Sequence, residues 1–475
     1  MSRGSTQVEP NPSPGSPPPA SDGAIDRYFK FAELGTNLRT EVIAGITTFV
    51  TMAYILVVNP NILSNAIFLQ QPNDLFGELV IATAISSAIA TILMGLLANY
   101  PFALAPGMGL NAFFAFSVVI GLGINWRTAL AAVLVEGVIF IGLTLSSVRS
   151  KIITSIPECL KRATAVGIGL FIAYIGLSGD PATGGAGIIV ANDSTKTALG
   201  SLAQPQTLMA LVGLLITAAL IARRIKGALL LGILATAILG WILGIAAPPQ
   251  GIVALPQLPV DLVGQAFVGF SQLNGNNLAN FLAIMFVFLF VDLFDTVGTL
   301  TGVGLQAGMI NDRGELPKAT EAFMADAIGT TAGAILGTST VTTYIESAAG
   351  VSEGGRSGFT AIVAAGLFIL SIFFIPLFSA IPGFATAATL VIVGVLMTGN
   401  VVGIHWSDPA ESIPCFLTIL LMPLTYSIAE GLAIGFITYP LIKSFQGKAQ
   451  EVSLGVWILA AVFVLRFILL AMNGA

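Results

Sequence analysis

Charge is what this chain has least of. Asp, Glu, Lys and Arg make up 9% of its 475 residues, while 55% are hydrophobic. A soluble domain carries roughly 25% charged residues, so a large water-exposed globule is excluded. There is one histidine, His405, and it stands beside Trp406 at the end of an apolar run, where an interfacial role fits it better than catalysis. The two cysteines, Cys159 and Cys415, have neither metal-ligand nor redox spacing and read as small packed residues. No basic cluster points to nucleic acid. Gly298, Gly302, Gly304 and Gly308 lack the Lys and the preceding strand of a phosphate loop and read as helix-packing positions. No cofactor or metal site is expected. An intramembrane hydrolase is disfavoured, because no nucleophile–base pair is evident.

What is present is a succession of apolar runs of about 20 residues separated by short polar loops, the pattern of a polytopic all-α membrane protein. Residues 1–24, rich in Pro, Ser and Gly, are expected to be a disordered tail without the apolar core of a signal peptide. Residues 24–39 are expected to lie at the interface. Spans are expected at 40–59, 78–98, 102–122, 128–147, 163–178, 207–222 and 227–246, then at 278–304, 320–337, 338–356, 358–380, 384–404, 411–426 and 428–445. That makes about fourteen by length. A last apolar stretch, 453–471, fits either a further span or an interfacial helix.

Basic residues follow the even-numbered spans, as a cytoplasmic N-terminus requires. Arg149, Lys151, Lys161 and Arg162 follow span 4, and Arg223, Arg224 and Lys226 follow span 6. Arg313 and Lys318 follow span 8, Arg356 span 10, and Lys443 and Lys448 span 14. Arg127 and Lys196 are the exceptions. Ile156-Pro157, Ala163-Thr164 and Gly169 recur at a constant offset as Ile381-Pro382, Ala388-Thr389 and Gly394. Seven spans per half makes this repeat inverted, the plan of transporters that bind substrate between two broken helices. Residues 25–246 form the first repeat, 247–277 an extracytoplasmic connector, 278–446 the second repeat and 447–475 a C-terminal apolar segment.

Two spans are expected to be broken by short strand-like pieces. Span 3 is interrupted by Ala105-Pro106-Gly107-Met108-Gly109-Leu110-Asn111. Span 10 runs from β-branched Thr340-Val341-Thr342-Thr343-Tyr344-Ile345 into a helix start at Glu346-Ser347. Such backbone survives at membrane depth only when buried in protein or lining a cavity. Asp292, Asp295 and Glu346 are the prominent intramembrane acids. Each costs about 2.5–3.5 kcal/mol at a helix centre, and no Lys or Arg lies in the central part of the spans. Burial and clustering favour a proton on such groups, so all three are candidates for proton coupling and substrate contact. Asn111 adds an amide, Ser347 a hydroxyl, and Tyr344 and Phe113 (or Phe114) rings able to cover a flat ligand. Glu136, Glu321, Asp326 and Glu430 are read as structural.

Several stretches resemble the AzgA-like (azaguanine-resistance) purine permeases: TTFVTMAYILVVNP at 47–60, APGMGLNAFFAF at 105–116, FDTVGTL at 294–300, GTSTVTTYIESAAGVSEGGRSG at 337–358 and LTILLMPLTYSIAEG at 417–431. The resemblance extends from about Phe29 to Lys448. It implies a seven-plus-seven fold, with a core domain from spans 1–4 and 8–11 and a gate domain from spans 5–7 and 12–14. It implies proton symport of adenine, guanine and hypoxanthine by alternating access at the cell membrane. It also implies that Asp292, Asp295, Glu346 and Asn111 hold the base, with Tyr344 beside them. Expected partners are a purine nucleobase, a proton and membrane lipid, with a second copy of the chain as an option. The alternative is transport of an anion such as sulfate or bicarbonate on the same architecture, since half-helix N-termini suit anions. Three acids weigh against it.

Overall fold

The computed structural model describes residues 23–146, 155–181, 185–273, 275, 278–311 and 316–472. The expected tail, up to residue 22, and Arg149, Lys151 and Arg313 lie outside the described residues. Nine helices among the described residues are long and apolar enough to cross a membrane, and Met108–Gly121, Ala228–Ile242, Pro409–Leu424 and Leu454–Ile468 are shorter apolar helices. Span 9, Ala319–Leu336, is helical throughout but carries Glu321 and Asp326.

Span 1 is Leu38–Met52 followed by Ile55–Leu63, and Asn37 caps it by accepting from the Thr40 amide. Span 2 (Phe76–Leu93) ends in a π turn, Met94–Ala98. Span 3 begins as strand β1 (Leu104–Pro106) and continues as Met108–Ala112 and the π-helical Phe113–Gly121. Span 4 is Trp126–Leu145 and span 5 Glu158–Leu177. The loop after span 5 carries a hairpin, β2 (Ile189–Asn192) and β3 (Lys196–Leu199). Spans 6 and 7 are Pro205–Ala222 and Ala228–Ile242, and the connector contains a short helix, Gln265–Ser271. Span 8 is one 29-residue helix, Leu278–Gln306. Span 10 is strand β4 (Val341–Thr343) plus a half-helix, Ser347–Ser352. Spans 11 to 14 start at Gly358, Gly383, Pro409 and Ile428.

The two expected breaks pair with each other. β1 and β4 run antiparallel, with Leu104 opposite Thr343 and Pro106 opposite Val341. The ladder extends at both ends, through Tyr344 N to Ala103 O and Gly107 N to Thr340 O, each 3.0 Å. Two strands leave two outer edges, and unpaired backbone at membrane depth is costly. A threonine closes each edge. Thr91 of span 2 accepts from Leu104 N and donates to Leu104 O. Thr330 of span 9 does the same for Val341. The two halves thus solve the same problem with the same side chain.

The repeated motif is symmetric in space as well. Pro157 and Pro382 are the N-cap residues of spans 5 and 12. These spans cross at Gly169 and Gly394, where a Cβ on Gly169 would lie 2.9 Å from the Gly394 carbonyl oxygen. Two packing groups result. Span 5 packs on spans 12 and 13, and span 12 also on 6 and 7, while span 4 packs on 8 and 9 and span 11 on 1 and 2. Buried Glu41, at the start of span 1, accepts from the hydroxyls of Thr36, Ser357 and Thr360 and from the Arg356 amide at 2.6–2.9 Å, tying span 1 to the turn before span 11. The C-terminal helix Leu454–Met472 lies against span 14, where Arg466 pairs with Glu430 at 2.8 Å. Cys159 and Cys415 are buried and free, the Cys415 thiol donating to the Cys159 carbonyl at 3.4 Å.

Candidate functional site

The strand pair sits against span 8 and brings the candidate acids together in depth. Asp295 and Glu346 are partly accessible and act on each other electrostatically. Asp295 lies beside Gly107, at the entry of the span-3 half-helix. Glu346 is the N-cap residue of the span-10 half-helix. Its Oε1 accepts a 2.6 Å hydrogen bond from the hydroxyl of Tyr54 on span 1.

Behind them the site is closed. Thr296 donates to Asp326 at 2.9 Å and meets the Thr342 hydroxyl at 3.1 Å. Asp292 is fully buried and accepts from Thr330 at 3.3 Å. The i, i+3 pair expected to share a role is therefore divided. Asp295 faces the accessible side, while Asp292 faces spans 4 and 9.

The other candidates hold the break in shape. The Tyr344 hydroxyl donates to Pro106 O at 2.6 Å, and Ser347 Oγ accepts from the Ala103 amide at 2.9 Å. Both tie span 10 to span 3 and are buried. Asn111 Oδ1 accepts from Ser339 Oγ, while its Nδ2 has no partner among the described residues. Phe113 is enclosed, edge-on to Phe288 with centroids 5.0 Å apart, so it packs rather than opening to the accessible side. Phe114 is enclosed as well.

Tyr54 joins the candidate site through its bond to Glu346, and sequence reasoning missed it. Its signal was a phenol inside the apolar run TTFVTMAYILVVNP. Gly298 and Gly302 differ from expectation. Neither packs against a helix, and a Cβ at either would meet nothing within 4 Å. With Asp295 and Thr299 they form an open stripe along span 8 leading away from the strand pair. The far end of span 3 is closed instead. Phe116, Phe171 and Tyr174 surround the Tyr426 ring with centroids 5.6–6.1 Å apart, Ser117 donates to the Tyr426 carbonyl, and Ser178 meets the Tyr426 hydroxyl.

Paired broken spans meeting at a cluster of acids, inside a bundle of membrane helices, suit a transporter. Comparison with known proteins agrees. The transmembrane domain of a cyanobacterial bicarbonate transporter superposes with a TM-score of 0.60 at 17% identity, covering 84% of this chain and 97% of that one. The fold is accordingly a seven-plus-seven inverted repeat. The chain belongs to the Permease family (Xan_ur_permease), whose model matches residues 39–434. A Methanocaldococcus jannaschii protein is 52% identical, covering 94% of this chain and 99% of that protein. A guanine/hypoxanthine permease of Bacillus subtilis is 45% identical over 93% and 99%. An adenine permease of Escherichia coli is 41% identical over 94% and 97%. The resemblance to azaguanine-resistance permeases read from the motifs agrees with these relatives.

Proposed function

We propose that this protein imports purine nucleobases, namely guanine, hypoxanthine and adenine, across the cell membrane by proton symport. The observation that carries the reading is the pair Asp295 and Glu346, set on either side of the β1–β4 crossing and open to one side. Carboxylates accept the N–H edges of a purine, whereas Asn111 is fully buried and offers no accessible face. The relatives named for guanine, hypoxanthine and adenine favour the same substrates.

The anion reading draws on the likeness to the bicarbonate transporter, which concerns the fold alone. Acids at the mouth of the half-helices repel an anion, so this reading is second. The packing groups support a core of spans 1–4 and 8–11, with spans 5–7 and 12–14 as gate. The basic residues favour a cytoplasmic N-terminus, which places the open stripe on span 8 toward the cytoplasm and the Tyr426 cluster at the outer face. The substrate pathway in this conformation then opens inward. The test is uptake of labelled hypoxanthine in cells lacking other purine carriers. Competition by guanine and adenine, and loss with a protonophore, are expected. Competition by uracil, sulfate or bicarbonate in place of purines overturns the substrate assignment.

A further inference from the structure

Behind the accessible acids lies a second group that the substrate reading does not use. Glu136 of span 4, Asp292 of span 8 and Asp326 of span 9 are each fully buried. Glu136 lies within hydrogen-bonding reach of Asp292, and Asp326 acts on both. Yet neither carboxylate oxygen of Glu136 has a donor among the described residues, and Asp292 Oδ1 and Asp326 Oδ1 have none either. The Thr296 hydroxyl and the Thr343 amide serve Asp326, and the Thr330 hydroxyl, which also bonds the Val341 carbonyl, lies 3.3 Å from the other oxygen of Asp292. The charged groups acting on the three are one another and Asp295, and none is basic.

Three ionised carboxylates in this setting would be unpaired, mutually repelling charges in a dry interior, the costliest arrangement available to them. Two facing carboxyls relieve it by sharing a proton, one donating an O–H to the other. A metal cation is the other remedy. However, no group of three His, Cys, Asp or Glu among the described residues is disposed to hold one.

We propose that Glu136, Asp292 and Asp326 form the proton-binding site of the carrier, separate from the face that touches substrate. Asp295 links the two, since it acts on Asp292 and Asp326 on one side and on Glu346 on the other. A proton bound between Glu136 and Asp292 leaves one carboxylic acid and one carboxylate. When it departs by way of Asp295, the site is left with its negative charge uncompensated beside Asp295, which disfavours a carrier that holds substrate without the proton. Glu136 and Asp326 then couple transport without contacting the base. The inference rests on the proton-symport reading above.

The experiment uses the full chain in proteoliposomes, with two measurements of labelled hypoxanthine. Counterflow needs no net proton movement, whereas accumulation is driven by an imposed pH gradient. A one-unit gradient supports about tenfold accumulation for one proton per substrate. Wild-type protein is expected to show it. Glu136→Gln and Asp326→Asn are expected to keep counterflow and lose accumulation together with its pH dependence. If the wild type accumulates with a sodium gradient but not a proton gradient, the symport reading falls and this inference with it. If the wild type responds to protons and both variants still accumulate like it, this inference alone falls. Should either variant fold poorly, infrared difference spectra of the wild type and the folded variant decide. A protonated-carboxyl band at neutral pH that disappears in Glu136→Gln, or shifts in Asp326→Asn, supports the site, and a band unchanged in position and size overturns it.

Discussion

Replacing Asp295 and Asp292 by Asn separates the two acids that sequence spacing treats as a pair. Asp295 is partly accessible, borders the open stripe of Gly298 and Gly302 and faces Glu346. Asp292 is fully buried behind Thr330, with one oxygen lacking a donor. If Asp295 accepts an N–H from the base, Asp295→Asn loses a hydrogen bond to a charged group, worth about 1.5–3 kcal/mol. Hypoxanthine affinity should then fall by about ten- to 150-fold. Asp292→Asn is isosteric and has no accessible face to offer the base, so its affinity is expected to stay within about threefold of wild type while gradient-driven accumulation falls. Scintillation-proximity binding of labelled hypoxanthine to detergent-purified protein measures the first quantity without requiring transport. Wild-type affinity in Asp295→Asn, together with lost binding in Asp292→Asn, would refute the placement of substrate on the accessible side.

Three further outcomes follow from the same geometry. Tyr54→Phe keeps the buried ring but removes the 2.6 Å donor to Glu346; the same binding assay should show a loss of about 1.5–3 kcal/mol, and unchanged affinity would mean that Glu346 does not meet substrate in the state Tyr54 holds. Gly302→Trp puts its Cβ in open space, so thermal stability should hold while uptake collapses; normal uptake would show that the stripe is not the pathway. Glu41→Ala strands the hydroxyls of Thr36, Ser357 and Thr360 and the Arg356 amide around a buried vacancy. A cost of about 1–3 kcal/mol for each donor left unsatisfied is expected, read as a large drop in the melting temperature of the purified protein, and a drop of a degree or two would contradict the tie between spans 1 and 11.

Much of the architecture was legible because hydropathy, helix length and charge placement act locally. The segment boundaries follow from apolar runs, and the two breaks from Pro106, Gly107 and the β-branched run at 340–345. The pairing of the breaks was anticipated only as proximity. Register needs coordinates, and nothing in the residues announces that Leu104 will face Thr343. Thr91 and Thr330 were silent, because a threonine in an apolar helix ordinarily bonds its own preceding turn. Glu136 and Asp326 were read as structural since single acids on separate spans give no hint of convergence. Gly298 and Gly302 misled in the opposite direction. Small residues suit close packing, and the same lack of side chain also leaves open space beside span 8.

The crossing of β1 and β4 has a consequence for biogenesis. Its two strands stand more than two hundred residues apart in the chain, and the contact closes only after span 10 has been made. Until then the newborn first half holds a strand with one edge covered by Thr91 and the other bare. Ribosomal synthesis favours folding from the N-terminus, but here the early half cannot reach its final state alone. Loss of the second repeat should therefore leave no half-folded carrier behind, only an intermediate destined for degradation.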